Sequence, residues 1–258
     1  MAKSPPTAKD NNTRRFVFNA WLLMLARDRF ALFAAIFLLV LVGVALVGSF
    51  ALEDVATKQN LRGRNAPPFD FNKDWVFWLG GDALGRPLLA RIFLASRNTL
   101  MIAASAVSFS LIIGCFLGLI AGYTSKFVSH LILRVADVIM SFPSLLLAVI
   151  ILYMLPPSVI NIVVVLAITR IPIYLRTARA EVLEIRERMF IQAATVMGAS
   201  NKRIIFRHIL PIIIPTMVTI ATLDFAFVML AESSLSFLGI GIQPPEITWG
   251  LMVAQGRP

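Results

Sequence analysis

The sequence predicts an all-α integral membrane protein, and three observations carry that prediction. Hydrophobic residues fill 58% of the 258 positions and charged residues only 15%, a balance too apolar for a soluble globule of this size. Apolar runs of about 20 residues, the length a helix needs to cross roughly 30 Å of hydrocarbon, recur along the chain. The basic residues are dispersed among those runs and fall mostly on alternate connections, as the positive-inside rule requires.

The first run of apolar character follows a polar leader. Residues 1–15 hold Pro5, Pro6, Lys9, Asp10, Arg14 and Arg15 and too little apolar content to fold alone, which predicts a disordered tail. Phe16 to Leu25 is apolar between flanking arginines and too short to span, which predicts an interfacial helix closing a cytoplasmic segment over residues 1–29. Residues 30–50 form the first span. Residues 51–97 leave the membrane as an extracytoplasmic segment, in which Phe69, Phe71, Trp75, Phe77 and Trp78 read as an interfacial aromatic belt.

The core follows over residues 98–258. Leu100 to Tyr123 is the second span, and Ser110, Gly114, Gly118 and Gly122 recur every four residues along it, the spacing of a helix-packing seam in lipid rather than of a site. The third span runs from Leu131 to Leu155, with Arg134 and Asp137 placed to pair and Pro143 to kink it. Ser158 to Leu175 is the fourth, with Arg170 near enough to its end to snorkel. Ile212 to Leu235 is the fifth.

Between the fourth and fifth spans lies a basic segment, residues 176–211, with more ordered pattern than a simple connection. Arg176 to Met197 reads as one helix: Glu184 precedes Arg188 by four residues, and Val182, Ile185 and Met189 make an apolar stripe. Gly198 ends it, Ser200 caps a second helix with Arg203 in its first turn, and Pro211 marks a change of direction into the next span. The small side chains Ala193, Ala194 and Ala199 would let a partner's groove close around the segment.

Two acids sit in the fifth span. A mid-membrane carboxylate costs about 2.5–3.5 kcal/mol, so Asp224 is expected to face a bundle interior or a wet pathway. Glu232 projects within about 80° of it and either lines the same pathway or is an interfacial residue held by Ser233 or Ser234.

Other chemistry is poorly supported. The net charge of +10 is spread among apolar runs, which favours anionic lipid over nucleic acid. Cys115 stands alone and there are two histidines, so neither a disulfide framework nor a Cys/His metal site is available. No phosphate-binding loop and no nucleophile–base–acid set is present, which argues against an enzyme with its own catalytic residues.

The segment FIQAATVMGASNKRIIFRHILP resembles the coupling loop of ABC importer permeases. That loop has the form Glu-Ala-Ala, three residues, Gly, about nine residues, then Ile-x-Leu-Pro. Gln192, Ala193, Ala194, Gly198, Leu210 and Pro211 fill its places, with Gln192 for the usual Glu and Ile209 one place late. Further blocks in the same order are similar to that family. In GGDALGRPLLARIFLASRNTL, Asp82, Leu84, Gly85, Arg86, Arg91 and Arg97 match, while Gly81 replaces Thr and Pro87 replaces Asp; Pro87 is compatible with the first turn of an interfacial helix. LRVADVIMSFPSLLLA follows, then Pro172, Tyr174, Arg176 and Arg179 of ITRIPIYLRTARAEVL, then AESSLSFLGIGIQPPEITWG. The resemblance covers Gly81 to Arg257 and is closest to the dipeptide, oligopeptide and nickel group.

The resemblance implies a type I ABC importer transmembrane domain in a bacterial inner membrane. It implies pairing with a second, homologous permease, two ABC ATPase subunits and an extracytoplasmic substrate-binding protein, in contact with membrane lipid and no nucleic acid. ATP and Mg would be bound by the partners and no cofactor by this chain. Coupling is expected at Gln192, Ala193, Ala194, Gly198, Ala199, Arg203, Leu210 and Pro211. The family's sixth span implies that the sequence, with five, stops short of one. With the N-terminus inside, 16 of the 24 basic residues are cytoplasmic, and the basic loop faces the cytoplasm. Peptide is the first expectation for cargo, with nickel or another small solute as the alternative within the class. An ion-gradient-driven transporter is the rival outside it, although no inverted internal symmetry is visible. A non-transporting membrane scaffold is a further rival, but it would have no need of Asp224.

Overall fold

The computed structural model describes residues 27–257. The expected tail and the helix over Phe16 to Leu25 lie outside the described residues. Within them the chain is helical, with no strand beyond an isolated bridge between Gly81 and Pro87.

Helix α1 (Arg29–Gly43) starts on Asp28, whose carboxylate accepts from the amides of Phe30 and Ala31 at 3.0 and 3.2 Å. One π turn (Val44–Gly48) joins it to α2 (Ser49–Thr57), so a single rod runs from Arg29 to Thr57. The expected end at Phe50 is corrected, because Leu52 and Ala56 keep the rod packed at its C-terminal end against the helix that follows. Most of α1 is bare, with Phe30, Phe33 and Leu39 exposed, as suits a helix bathed in apolar surroundings.

After an irregular stretch, α3 (Leu88–Tyr123) runs for 36 residues, or about 54 Å at 1.5 Å per residue. That length exceeds the bilayer core, and residues 88–97, expected in the segment before the second span, are the N-terminal end of this helix. Pro87 stands just before it with ψ 127°, where a missing N–H leaves no intrahelical bond unmade. Of the expected aromatic belt, Phe69, Phe71, Trp75 and Trp78 are exposed, but Phe77 is buried.

The third span is corrected most. Instead of one kinked helix there are two, α4 (Lys126–Met140) and α5 (Ser144–Met154), at 85° to each other. Pro143 disfavours helical backbone at Phe142 before it, which makes a corner rather than a bend.

Helix α6 (Val159–Arg186) begins where Ser158 Oγ accepts from the Asn161 amide at 3.1 Å, and it passes through Pro172 well beyond the expected Leu175. A short α7 (Met189–Val196) precedes α8 (Asn201–Ile204), a π turn (Ile205–Ile209) and α9 (Leu210–Phe237). The last three form one rod, so Pro211 is no corner. It occupies the first turn of α9. The wide turn before it, closed by the Leu210 amide on the Ile205 carbonyl, absorbs the hydrogen bond that proline cannot make. A return segment leads to α10 (Trp249–Gln255).

The closest seam is α3 on α6. A Cβ added at Gly114 would lie 2.5 Å from Tyr174 Cβ, one at Gly118 2.6 Å from Ala178 Cβ, and one at Gly122 2.6 Å from Val182 Cγ1. Ser110 Oγ, one step further along, sits 2.7 Å from the Ala106 carbonyl and 3.0 Å from that of Ala167 on α6. In lipid, where helices gain nothing by hiding from water, such backbone proximity is the main source of attraction. Helix α9 closes the bundle, burying Val228 and Leu235 towards one end and Ile213 and Met217 towards the other.

Candidate coupling surface and buried ionic pairs

The segment after α6 is not one continuous helix. It breaks at Glu187 and Arg188, the latter extended with ψ 142°, and no glycine or proline marks the place. Burial explains the break. A continuous helix would bring Met189 onto the stripe of Val182 and Ile185, but Met189 is 86% exposed and Ile191 is buried in its stead beside Ile204 and Ile209. The Glu184–Arg188 ion pair does form, at 2.8 Å.

Gln192 secures the break, its amide nitrogen donating to the Glu187 carbonyl at 3.2 Å. A glutamate could not make that donation. Gly198 follows with φ +81°, a left-handed conformation that glycine adopts without cost, and the Ala199 amide closes on the Ala194 carbonyl. Ser200 Oγ then accepts from the Arg203 amide at 3.4 Å. The result is a short helix held on its inner side by Ile191 and open on its outer side. There Met189, Val196 and Met197 are almost fully exposed beside Ala193, with Lys202 and Arg203 nearby. Ala194 and Ala199 are half-buried, and Leu210 and Pro211 belong to the rod behind, away from that open face.

Arginines on α6 fasten the helices around this segment. Arg176 pairs with Asp137 on α4, which replaces the expected Arg134–Asp137 pair, and Arg179 Nε donates to Ser129 Oγ at 3.0 Å. Arg186 Nη1 donates to the Gly122 carbonyl at 3.2 Å, one of the orphan carbonyls at the end of α3.

Deeper in the bundle Arg170 forms an ion pair with Asp224, and its guanidinium carbon lies 5.5 Å from the centre of the Phe227 ring. The expected snorkelling of Arg170 is thereby corrected: a buried partner on α9 holds it better than the distant helix end. Tyr174, fully buried one turn along α6, stands next to Asp224. A cavity of about 300 Å³ lies against this pair, with Ser144, Thr169, Arg170 and Ser234 among its walls. Asp224 is not among them and sits behind Arg170. Glu232 is fully buried about 12 Å further along α9 and accepts from Ser236 Oγ at 2.7 Å. Ser236 Oγ in turn accepts from the Ile242 amide at 3.1 Å, so the cluster ties down the return segment. Asp224 and Glu232 therefore have different partners, Arg170 for the one and Ser236 for the other.

At the other end, Asp82 organises the loop before α3. Its Oδ1 accepts from the amides of Leu84 and Arg86 at 2.9 and 2.7 Å, and its Oδ2 from Arg86 Nε and Arg91 Nη1 at 2.7 and 2.6 Å. Arg91 is buried and reaches on to Gln255 Oε1 of α10 at 2.7 Å. Burial pushes the Asp82 carboxyl up, but the hydrogen bonds and charge of Arg86, with Arg91 behind it, outweigh that and hold it below its ordinary 3.8.

The pairings were the part hidden from sequence reasoning. Arg170 is the one charge in residues 159–175 and Asp224 the one in 212–231, and two lone opposite charges in neighbouring spans were the available signal.

A helical membrane bundle with a stand-off helix on one face and ionic groups buried along its core defines a multi-pass transport permease. The chain belongs to the family of binding-protein-dependent transport system inner membrane components, whose pattern matches residues 114–257. It is 37% identical over 221 residues to the dipeptide transport system permease protein DppC of Alkalihalophilus pseudofirmus, covering 86% of this chain and 70% of the relative. It is 31% identical over 262 residues to the glutathione transport system permease protein GsiD of Pectobacterium atrosepticum, covering 100% of this chain and 84% of the relative. It is also 41% identical over 181 residues to the di/tripeptide transport system permease protein DppC of Pseudomonas aeruginosa, covering 70% and 60% respectively.

Proposed function

We propose that this chain is the permease subunit of an ATP-driven importer of short peptides, and that α7 is where it receives the work of ATP hydrolysis. The carrying observation is the exposed apolar face of Met189, Val196 and Met197 on a helix anchored from behind by Ile191. A face of that kind on a basic, aqueous loop is unfavourable until a partner covers it. The relatives' printed names supply the cargo class, since dipeptide, di/tripeptide and glutathione are all peptides.

In this reading the N-terminus and α7 are cytoplasmic and the Asp82 loop is extracytoplasmic. A second permease completes the pathway, two ATPase subunits bind ATP and Mg and grip the coupling helices, and a binding protein delivers the peptide. Closure of the ATPases moves α7 and rocks the permeases between inward-open and outward-open states. Arg170, facing its cavity, presents the positive charge of the pathway, and Asp224 balances it from behind.

Purification from membranes tests this. An ATPase subunit should accompany the protein, and its hydrolysis should rise when binding protein loaded with peptide is added. Hydrolysis indifferent to loaded binding protein, or peptide uptake driven by a proton or sodium gradient without ATP, would remove the proposal.

A further inference from the structure

At the outer end of the bundle a cavity of about 390 Å³ opens between the end of α2, the outer half of α3, the start of α6 and the return segment. Its size falls at the lower end of the range for small-solute sites. Met101, Ile102, Val163 and Ile242 give it an apolar floor, and its charged groups are unevenly paired.

The guanidinium carbon of Arg97 lies over the Phe50 ring, 4.6 Å from the centroid. One guanidinium nitrogen makes a long contact of 3.4 Å to Glu53, and the others make no hydrogen bond among the described residues. Its unused N–H donors can receive a carboxylate with two parallel bonds. Glu246 has the opposite shortage. Its carboxylate accepts only from the Asn98 amide, at 3.3 Å, and has no cationic partner among the described residues. The same Asn98 amide donates to the Ile247 carbonyl at 2.8 Å, which fixes the Glu246 loop beside the residue next to Arg97. One cavity therefore holds an under-used cation and an unpaired anion over an apolar floor.

We propose that this cavity is a binding site for a zwitterionic short peptide, with Arg97 receiving the terminal carboxylate, Glu246 the terminal ammonium, and the Met101 and Ile102 floor the side chains. The proposal rests on the peptide reading above and adds to it a place on this chain where the cargo is held before it enters the bundle. Asn98 acts as a positioning residue, holding Glu246 in place.

The test uses the full chain with its partner subunits in lipid nanodiscs, without binding protein. Calorimetric titration with dialanine should show saturable binding. Arg97→Gln and Glu246→Gln should each weaken it by about tenfold or more, the worth of one charge-assisted contact. The chemistry is checked by capping. Acetylating the amine of dialanine should weaken binding to the wild type but not further to Glu246→Gln, and amidating the carboxylate should do the same for Arg97→Gln. Unchanged melting temperatures keep folding out of the comparison. Wild-type binding that ignores both caps, or dialanine affinity unchanged from wild type in both variants, would overturn the site. ATP-driven dialanine uptake by the same complex in sealed proteoliposomes, with its binding protein added, separates the two readings: uptake without binding here sinks the site alone, whereas absence of uptake sinks the peptide cargo.

Discussion

Replacing Asp224 with alanine leaves Arg170 charged and buried between α6 and α9 with no anion to face. The Arg170 side chain is 19% exposed and that of Asp224 5%, so water screens the pair little. Removing one partner of such a pair costs about 3–5 kcal/mol, and the Phe227 ring, beside the guanidinium before and after, leaves that difference unchanged. The expected loss is therefore about 3–5 kcal/mol, overlapping the roughly 2.5–3.5 kcal/mol of an unpaired charge at mid-bilayer depth. The double variant Arg170→Ala/Asp224→Ala deletes both charges and should recover most of that loss, leaving mainly the cost of two small cavities. A double-mutant cycle on denaturant unfolding in detergent reads the coupling directly, and a value of about 2 kcal/mol or more is expected. Coupling below about 0.5 kcal/mol would refute the reasoning, because the two charges would then be solvated separately. Uptake supplies a second readout: losing Asp224 alone should lower it more than Asp224→Asn, which keeps an acceptor for Arg170.

Four further outcomes are expected. Gly118→Val should destabilise the bundle by about 1–3 kcal/mol, since its Cβ would start 2.6 Å from Ala178 Cβ with the Leu175 carbonyl at 2.7 Å; a lowered melting temperature in detergent checks this. Gly198→Asp should cost only about 1–2 kcal/mol, because a Cβ there meets open space and the penalty is the left-handed backbone alone, so the protein should insert and melt normally while peptide-stimulated hydrolysis is lost. Asp82 is held below its ordinary 3.8, so its contribution is complete above that value and fades as pH falls through the lower folded value. Hydrogen-exchange protection over residues 60–90, taken relative to the intrinsic rate at each pH, should therefore be constant from neutral pH down to about 4 and fall below it, and Asp82→Asn should abolish that step. Gln192→Glu should fray the start of α7 by about 1 kcal/mol, visible as faster exchange of the Ile191 and Gln192 amides, because the donation to the Glu187 carbonyl disappears.

Composition and the spacing of apolar runs were enough to make the bundle legible, because lipid leaves a spanning backbone few choices. The Ser110 to Gly122 seam was legible too, since small residues every four positions have one geometric consequence on a helix. What could not be read were ends and pairings. Helices α3 and α6 run well past their apolar stretches, and the break at Glu187 carries no local signal, being set by Ile191 reaching Ile204 and Ile209. The partner of Asp137 was misjudged for a similar reason. A neighbour three residues away, Arg134, was visible in the sequence, while Arg176 comes near only once α6 has packed on α4.

The break at Glu187 bears on how force would travel. A continuous helix from Val159 to Met197 would make the coupling segment a lever on α6 alone. With the chain turned back, Ile191 sits in one apolar cluster with Val182 and Ile185 of α6 and with Ile204 and Ile209 at the base of the rod ending in α9. Gln192 fastens the same helix to the end of α6, and the Gly198 turn fastens it to α8. Any displacement of α7 is therefore delivered to both long helices together. Those two helices also carry Arg170 and Asp224, so the ion pair joins deeper in the bundle the same two helices that α7 joins at its end.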